Sequence, residues 1–359
     1  MIRLWLVQIT SILRMEMRKT FFARRGLWVY LLALAPVVLF AAHSATAPRR
    51  QARLARFAAE HPVSKWALLM LRLDMTREQV LKKLGPPYAA QTQIYGGHRG
   101  QTVRHDRYYY TDGEVEQILT FVDERLTRIN RVEAESLSND STILATIFQF
   151  YYLRLAVFFG CVGIFTNLFR GEMVDKSLHF YLLTPMRREV LLIGKFLAGL
   201  IATVVIFTSG TALQLLAMLW QFRGPALTEY LHGPGWGHIE AYLGVTALAC
   251  AGYGSVFLAA GLIWRNPIIP AAVVLIWESA NVFVPLALKK LSVIYYLQSL
   301  CPVVAEPEND MSLPLRLLLS ATEPPAVGFA LSGILALILI LLVIAALRAR
   351  KLEINYSAE

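Results

Sequence analysis

A nucleotide-binding phosphate loop needs G-x-x-x-x-G-K-[S/T], so that backbone N–H groups can cradle the phosphates. This chain offers Gly194-Lys195, but Glu189 stands where the first glycine belongs and Phe196 follows the lysine. G-x-S-x-G is absent: the stretch Gly252-Tyr253-Gly254-Ser255 looks similar to a nucleophile elbow, but Val256 follows the serine. Small residues at that spacing in an apolar run read instead as close helix packing. No H-E-x-x-H and no paired-cysteine metal spacing occurs, and the seven histidines are scattered. The expectation is a non-catalytic chain with no metal site and no cofactor of its own. Two other features remain. Arg154 and Glu278 each stand near the middle of a long apolar run, where a charge is costly unless it is paired or faces water. A polar stretch, 170–189, separates the apolar run that holds Arg154 from the next one and carries Glu172, Asp175, Lys176, Leu182, Pro185, Arg187 and Arg188.

Those runs must be positioned by a bilayer. The 359 residues are 56% hydrophobic and only 17% charged, against about a quarter charged in soluble domains, and mean hydropathy is +0.49. A spanning helix needs about 20 apolar residues. Six segments are assigned as spans: 26–43, 143–169, 190–220, 239–263, 268–288 and 326–347. Pro36 lies inside the first, which is short. Short basic flanks fix the orientation: Arg3, Arg14, Arg18, Lys19, Arg24 and Arg25 before the first span, Arg170 to Arg188 in 170–189, and Arg348, Arg350 and Lys351 in the tail 348–359. With six spans all three fall on one side, which the positive-inside rule makes cytoplasmic; Lys289 and Lys290 fall opposite. The net charge of +10 then reports topology rather than a nucleic-acid surface. Ala45-Thr46-Ala47 resembles a signal cleavage site, but the 25 residues before the apolar run are long for such a leader. Residues 1–25 read as an interfacial amphipathic helix, with Ile2, Trp5, Leu6, Ile9, Ile12 and Leu13 on one side and Arg3, Thr10, Ser11, Arg14 and Arg18 on the other. Cys161 and Cys250 lie in spans and Cys301 outside, which makes no disulfide framework. The fold class is a mainly α membrane protein of six transmembrane helices with a small inserted α+β domain.

That domain, 44–142, falls on the outer side. A helix can be capped by Asp74 or Thr76, bury Val80, Leu81 and Leu84, and end at Gly85-Pro86. Strand-like runs follow at 102–111, 116–122 and 125–132, the first two joined through Asp112-Gly113. Thr76-x-x-Gln79-Val80, Leu84-Gly85-Pro86-Pro87 and Leu119-Thr120-Phe121 before Arg125-Leu126 resemble the small SmpA/OmlA (BamE-like) lipoprotein domain. The resemblance implies protein binding, here without the lipidated cysteine, since no cysteine precedes Cys161. Residues 289–325 form a second outer segment with short apolar pieces.

The stretch 170–189 resembles the cytoplasmic loop of ABC-2 type permeases, the membrane subunits of ATP-driven exporters. Its carriers are Glu172, then Leu182-Leu183-Thr184-Pro185, Arg187-Arg188, Val190-Leu191-Leu192 and Gly194-Lys195-Phe196. Asp175-Lys176-Ser177 replaces the family's glycine-threonine, and Tyr181 its first leucine. A helix over 172–183 would show charges at 172, 175 and 176 and apolar residues at 174, 178 and 182, suited to insertion in a groove of a soluble partner. The resemblance implies a permease dimer in a bacterial inner membrane, both termini cytoplasmic, driven by separate ABC ATPase subunits that hold ATP and Mg. An envelope protein could dock on 48–140. The rivals are a membrane-anchored interaction scaffold and an intramembrane enzyme using Glu278 and a nearby histidine. Arg154 and Glu278 are expected to approach each other or to line a polar cavity.

Overall fold

The computed structural model describes residues 2–22, 26–96, 102–113, 115–133, 137–174, 187–222, 224–264, 266, 268–280, 284–303 and 325–351. In chain order the first half contains α1 (Ile2–Phe22), α2 (Leu27–Glu60), α3 (Lys65–Leu69), α4 (Arg77–Leu84), β1 (Ala89–Gly96), β2 (Thr102–Thr111), β3 (Val115–Val122) and β4 (Arg125–Glu133). Next comes α5 (Leu137–Ile147), which widens into a π-helical segment (Phe148–Val157) and continues as α6 (Phe158–Val174). The second half holds α7 (Arg188–Leu219), α8 (Pro225–Tyr230), a short π turn (Leu231–Gly235), α9 (Trp236–Ile263), α10 (Ile268–Ala280), α11 (Leu286–Lys289), α12 (Val293–Ser299) and α13 (Val327–Arg350). Two compact units result: Met1–Phe40, Ser141–Leu219 and Pro225–Glu359 form the first, and Ala41–Asp140 with Trp220–Gly224 the second.

The first unit is a helix bundle. Among the described residues five helices are long and apolar enough to cross a membrane: Leu27–Glu60, Leu137–Phe169, Arg188–Leu219, Leu227–Ile263 and Val327–Arg350. The span assigned to 268–288 takes a different form. α10 has 13 residues, about 20 Å at 1.5 Å per residue and short of the ~30 Å hydrocarbon layer. Residues 281–283 lie outside the described residues, and Leu286–Lys289 makes a separate helix. α2 also differs, since it runs unbroken to Glu60 with both Pro36 and Pro48 inside it. Hydropathy ends a span where polar residues begin, but a helix continues wherever backbone hydrogen bonding does.

Packing in this bundle depends on small residues. A methyl group at Gly254 would lie 2.5 Å from the Phe165 ring, so α6 and α9 meet there only because no Cβ intervenes. The Ser255 hydroxyl donates to the Gly252 carbonyl 2.7 Å away and is fully buried, as a packing residue rather than an exposed nucleophile. Phe158 forms edge-to-face contacts with Tyr253 and Phe257.

The second unit is an antiparallel four-stranded meander in the order β1-β2-β3-β4. Its core joins Leu68 and Leu71, Val80 and Leu84 of α4, and Tyr110, Leu119, Phe121 and Leu126 of the sheet. β3 alternates buried and half-buried residues along its length, the period-2 signature of a sheet face packed on helices. Thr76 caps α4 in a reciprocal box: its hydroxyl accepts from the Gln79 N–H, and the Gln79 side chain accepts from the Thr76 N–H. Gly85 ends the helix at φ +77°, a conformation that disfavours a side chain. On the other sheet face, Phe57 of α2 stacks on Tyr88 at 4.7 Å.

Asp106 is buried on β2. It accepts from Thr92 at 2.6 Å and from Arg104 at 3.1 Å, with Arg77 at 3.6 Å. Burial alone would raise its carboxyl. The hydrogen bonds from Thr92 and Arg104, with the Arg104 and Arg77 charges, outweigh burial and hold it below the usual carboxylate range. A carboxyl lowered on folding stabilises the unit above its unfolded value, about 3.9. That stability is lost as pH falls through the lower, folded value. In the full chain, protection of β2 peptides in hydrogen exchange, corrected for intrinsic rates, should decline on acidification below pH ~4. Asp106→Asn should lower that protection at neutral pH and flatten its dependence on acid. An unchanged acid profile in the variant would remove Asp106 from the account.

Candidate functional site

One cluster of polar groups in the bundle joins α1, the end of α6, the start of α7 and the end of α13. α1 lies alongside α7 and runs the same way: Trp5 sits under the Arg187 guanidinium at 5.2 Å, and Ile12 fills the space that a Cβ at Gly194 would need, 3.1 Å away. One turn beyond Ile12, Glu16 is buried. Its carboxylate accepts from Lys195 Nζ at 2.8 Å, and the same ammonium donates to the Leu168 carbonyl of α6 at 2.8 Å. The Phe169 ring lies 5.4 Å from that charge. Lys195 is 0% exposed and Glu16 3% exposed, so the pair is out of solvent and joins α1, α6 and α7 at one point. A buried pair of this kind survives only where hydrogen bonds satisfy both ions.

Nearby, the start of α7 is tied to the end of α13. Arg350 Nε donates to Glu189 at 2.6 Å, and Arg188 donates to the Arg350 carbonyl at 2.7 Å. The C-terminal carbonyls of α13 carry partial negative charge, so Arg188 sits where the helix dipole favours a cation. Residue types here support ion pairing and mechanical linkage; among the described residues no group of His, Cys, Asp and Glu could hold a metal ion.

A second polar cluster lies deeper in the bundle. Glu278 of α10 is buried and accepts three hydrogen bonds: from the Ser292 hydroxyl at 2.7 Å, the Val293 N–H at 2.9 Å and the Ile294 N–H at 3.0 Å. A carboxylate from another helix thereby does the work of an N-cap for α12. α12 in turn fits against small residues, with Val293 on Gly252 and Tyr296 on Gly333. Arg154, on the π-helical segment, feels the charge of Glu278 but makes no ion pair or hydrogen bond with it; its Nε is buried without an acceptor.

A family model described as ABC-2 family transporter protein matches residues 11–265, more than half of the chain. The chain belongs to the ABC-2 family. It is a multi-pass membrane protein and a membrane component of a transporter, a family that is generally non-catalytic and works with ABC ATPases. Comparison with curated proteins and with solved structures gave no match.

In this ABC-2 family chain the residues singled out by sequence divide into three groups. Asp175, Lys176, Leu182 and Pro185 lie outside the described residues. Glu172 is in the last turn of α6, its side chain outside the description, while Arg187 and Arg188 stand at the start of α7, the first exposed and the second half-buried. Arg154 and Glu278 are in one unit, but the carboxylate is committed to α12. Sequence reasoning passed over Glu16, Glu189 and the pairing of Lys195. A signal did exist for Glu16. It is the sole acid in residues 1–25, and it falls in helical register behind Ile9 and Ile12, on the face that packs rather than the face that is wet.

Proposed function

We propose that the chain is the permease subunit of an ATP-driven exporter of the ABC-2 type. It forms the path in a dimer of permeases, with ATP and Mg held on separate ATPase subunits, in a bacterial inner membrane with both termini cytoplasmic. The observation that carries this reading is the convergence of α1, the end of α6, the start of α7 and the end of α13 on the Glu16–Lys195 and Glu189–Arg350 pairs. A push delivered to 170–189 would reach four helices through those ties, because ion-paired, close-packed elements move as bodies. Arg187 and Glu172 flank the segment offered to the ATPase, and α1 lies in the inner interface. The domain at 48–140 works outside, where its BamE-like pattern suits binding of an envelope protein.

Co-expression with the candidate ABC ATPase tests the reading. Affinity capture of the full chain should retain the ATPase. The double reversal Glu172→Arg/Arg188→Glu should reduce retention about tenfold or more, as expected when charge-assisted contacts are inverted. ATP hydrolysis by the purified chain alone, or capture that ignores the reversal, would refute it. A scaffold reading has one observation in its favour: Trp66, Leu69, Met70 and Leu73 lie exposed around α3. It requires transport to be absent when the ATPase is bound and turning over.

A further inference from the structure

We propose that Arg154 anchors a binding site for the anionic head of an amphiphile, a phosphate or carboxylate carried on an apolar body. Arg154 lies about midway along the Leu137–Phe169 helix, roughly 20 Å from either end, farther than an arginine side chain can snorkel. A guanidinium carries five N–H donors and no acceptor. Among the described residues none accepts from Arg154, and its Nε is buried and unbonded. The Phe150 ring 5.3 Å away offers its face to the charge but accepts no in-plane hydrogen bond. The obvious counter-ion does not bond to it: the Glu278 oxygens accept from Ser292, Val293 and Ile294 instead. An intramembrane cation left without an acceptor marks a functional site by default.

The surroundings say what kind of group completes it. Tyr253 packs edge-to-face on Phe158, one turn along the helix from Arg154; it is fully buried and its hydroxyl has no partner among the described residues, so it can supply a second donor. Apolar surface adjoins the site: Phe150 and Leu155 lie exposed on the same segment as Arg154. The segment itself is π-helical over Phe148–Val157, a widening often found at functional sites. An anion with an aliphatic tail fits both the unmet donors and the adjoining apolar surface, whereas a small hydrated anion fits only the donors.

As a cargo site this rests on the transport reading above; as a binding site it does not. The test therefore uses the full chain alone, in phosphatidylcholine nanodiscs, with radiolabelled dodecyl phosphate as probe and an uncharged dodecyl ether as control. Saturable binding of the phosphate is expected. Arg154→Lys should keep it and Arg154→Gln should weaken it about tenfold or more, as charge-assisted hydrogen bonds require, with the ether unaffected. Competition when phosphatidylglycerol is built into the nanodisc would identify bilayer lipid as the source. Undiminished binding with that lipid present would identify a delivered amphiphile. Equal binding by wild type and Arg154→Gln would overturn the proposal. So would absent binding together with a change of oligomeric state in Arg154→Gln, which would assign the guanidinium to a second copy of the chain. Loss of ATPase capture leaves every one of these results standing.

Discussion

Lys195→Met is expected to destabilise the bundle by about 3–5 kcal/mol, the usual result of stranding one member of a buried ion pair. The methionine fills most of the lysine volume, so the loss is electrostatic rather than a cavity. It leaves the Glu16 carboxylate, 3% exposed, without its buried ammonium and facing Lys19, which is 3.9 Å away and half in solvent. It also removes the donor to the Leu168 carbonyl. Glu16→Leu alone should be damaging for the opposite reason, since it buries an ammonium beside leucine. The double variant Glu16→Leu/Lys195→Met should recover most of the loss, because apolar replacement of a whole buried pair is often neutral. Thermal unfolding in detergent, followed by circular dichroism, reads all four proteins. If the double variant melts no higher than the worse single one, the two residues do not act as a pair. The recovered double variant then separates stability from transmission. A tie that carries motion from 170–189 into α1 should leave ATPase binding intact while weakening the dependence of turnover on cargo.

Local chemistry was legible in the sequence, and long-range pairing was not. The α4 cap could be read because Thr76 and Gln79 are three residues apart and satisfy each other. The Asp112-Gly113 turn carries its own backbone preference, with Gly113 at φ +95°. β1 was missed because Ala89-Ala90-Gln91-Thr92-Gln93 has no apolar alternation; it is an edge strand, held by its ladder to β2 rather than by a buried face. Glu16 and Lys195 are separated by 179 residues, and nothing local binds one to the other. Glu278 shows the limit most clearly. Two intramembrane charges of opposite sign suggest a pair, but a sequence does not display backbone donors. The first N–H groups of α12, which no carbonyl of their own helix can reach, hold the carboxylate that Arg154 was expected to hold.

Glu278→Ala should release α12 from its place between α9 and α13. Ser292, Val293 and Ile294 are all essentially inaccessible, so the variant strands a hydroxyl and two backbone N–H groups without water to replace the carboxylate. Each stranded donor costs about 1–3 kcal/mol. Glu278→Gln keeps a carbonyl oxygen in place and should lose roughly half as much. The chain carries its own reporter. Cys301 follows α12 directly, its thiol donates to the Leu297 carbonyl at 3.4 Å, and burial pushes that thiol up to about 12. Thiolate is the reactive form, so Cys301 should label slowly with maleimide at neutral pH in the native bundle. Opening α12 exposes the sulfur and returns it toward an ordinary thiol. Since each 1.4 kcal/mol is a factor of about ten in an equilibrium, labelling of Glu278→Ala should accelerate by at least about tenfold. Cys161 and Cys250 are fully buried and should stay silent, and Cys301→Ser should abolish the signal. An unaltered rate in Glu278→Ala would mean that packing of Val293 on Gly252 and Tyr296 on Gly333 holds α12 unaided, and that the carboxylate answers to some other need.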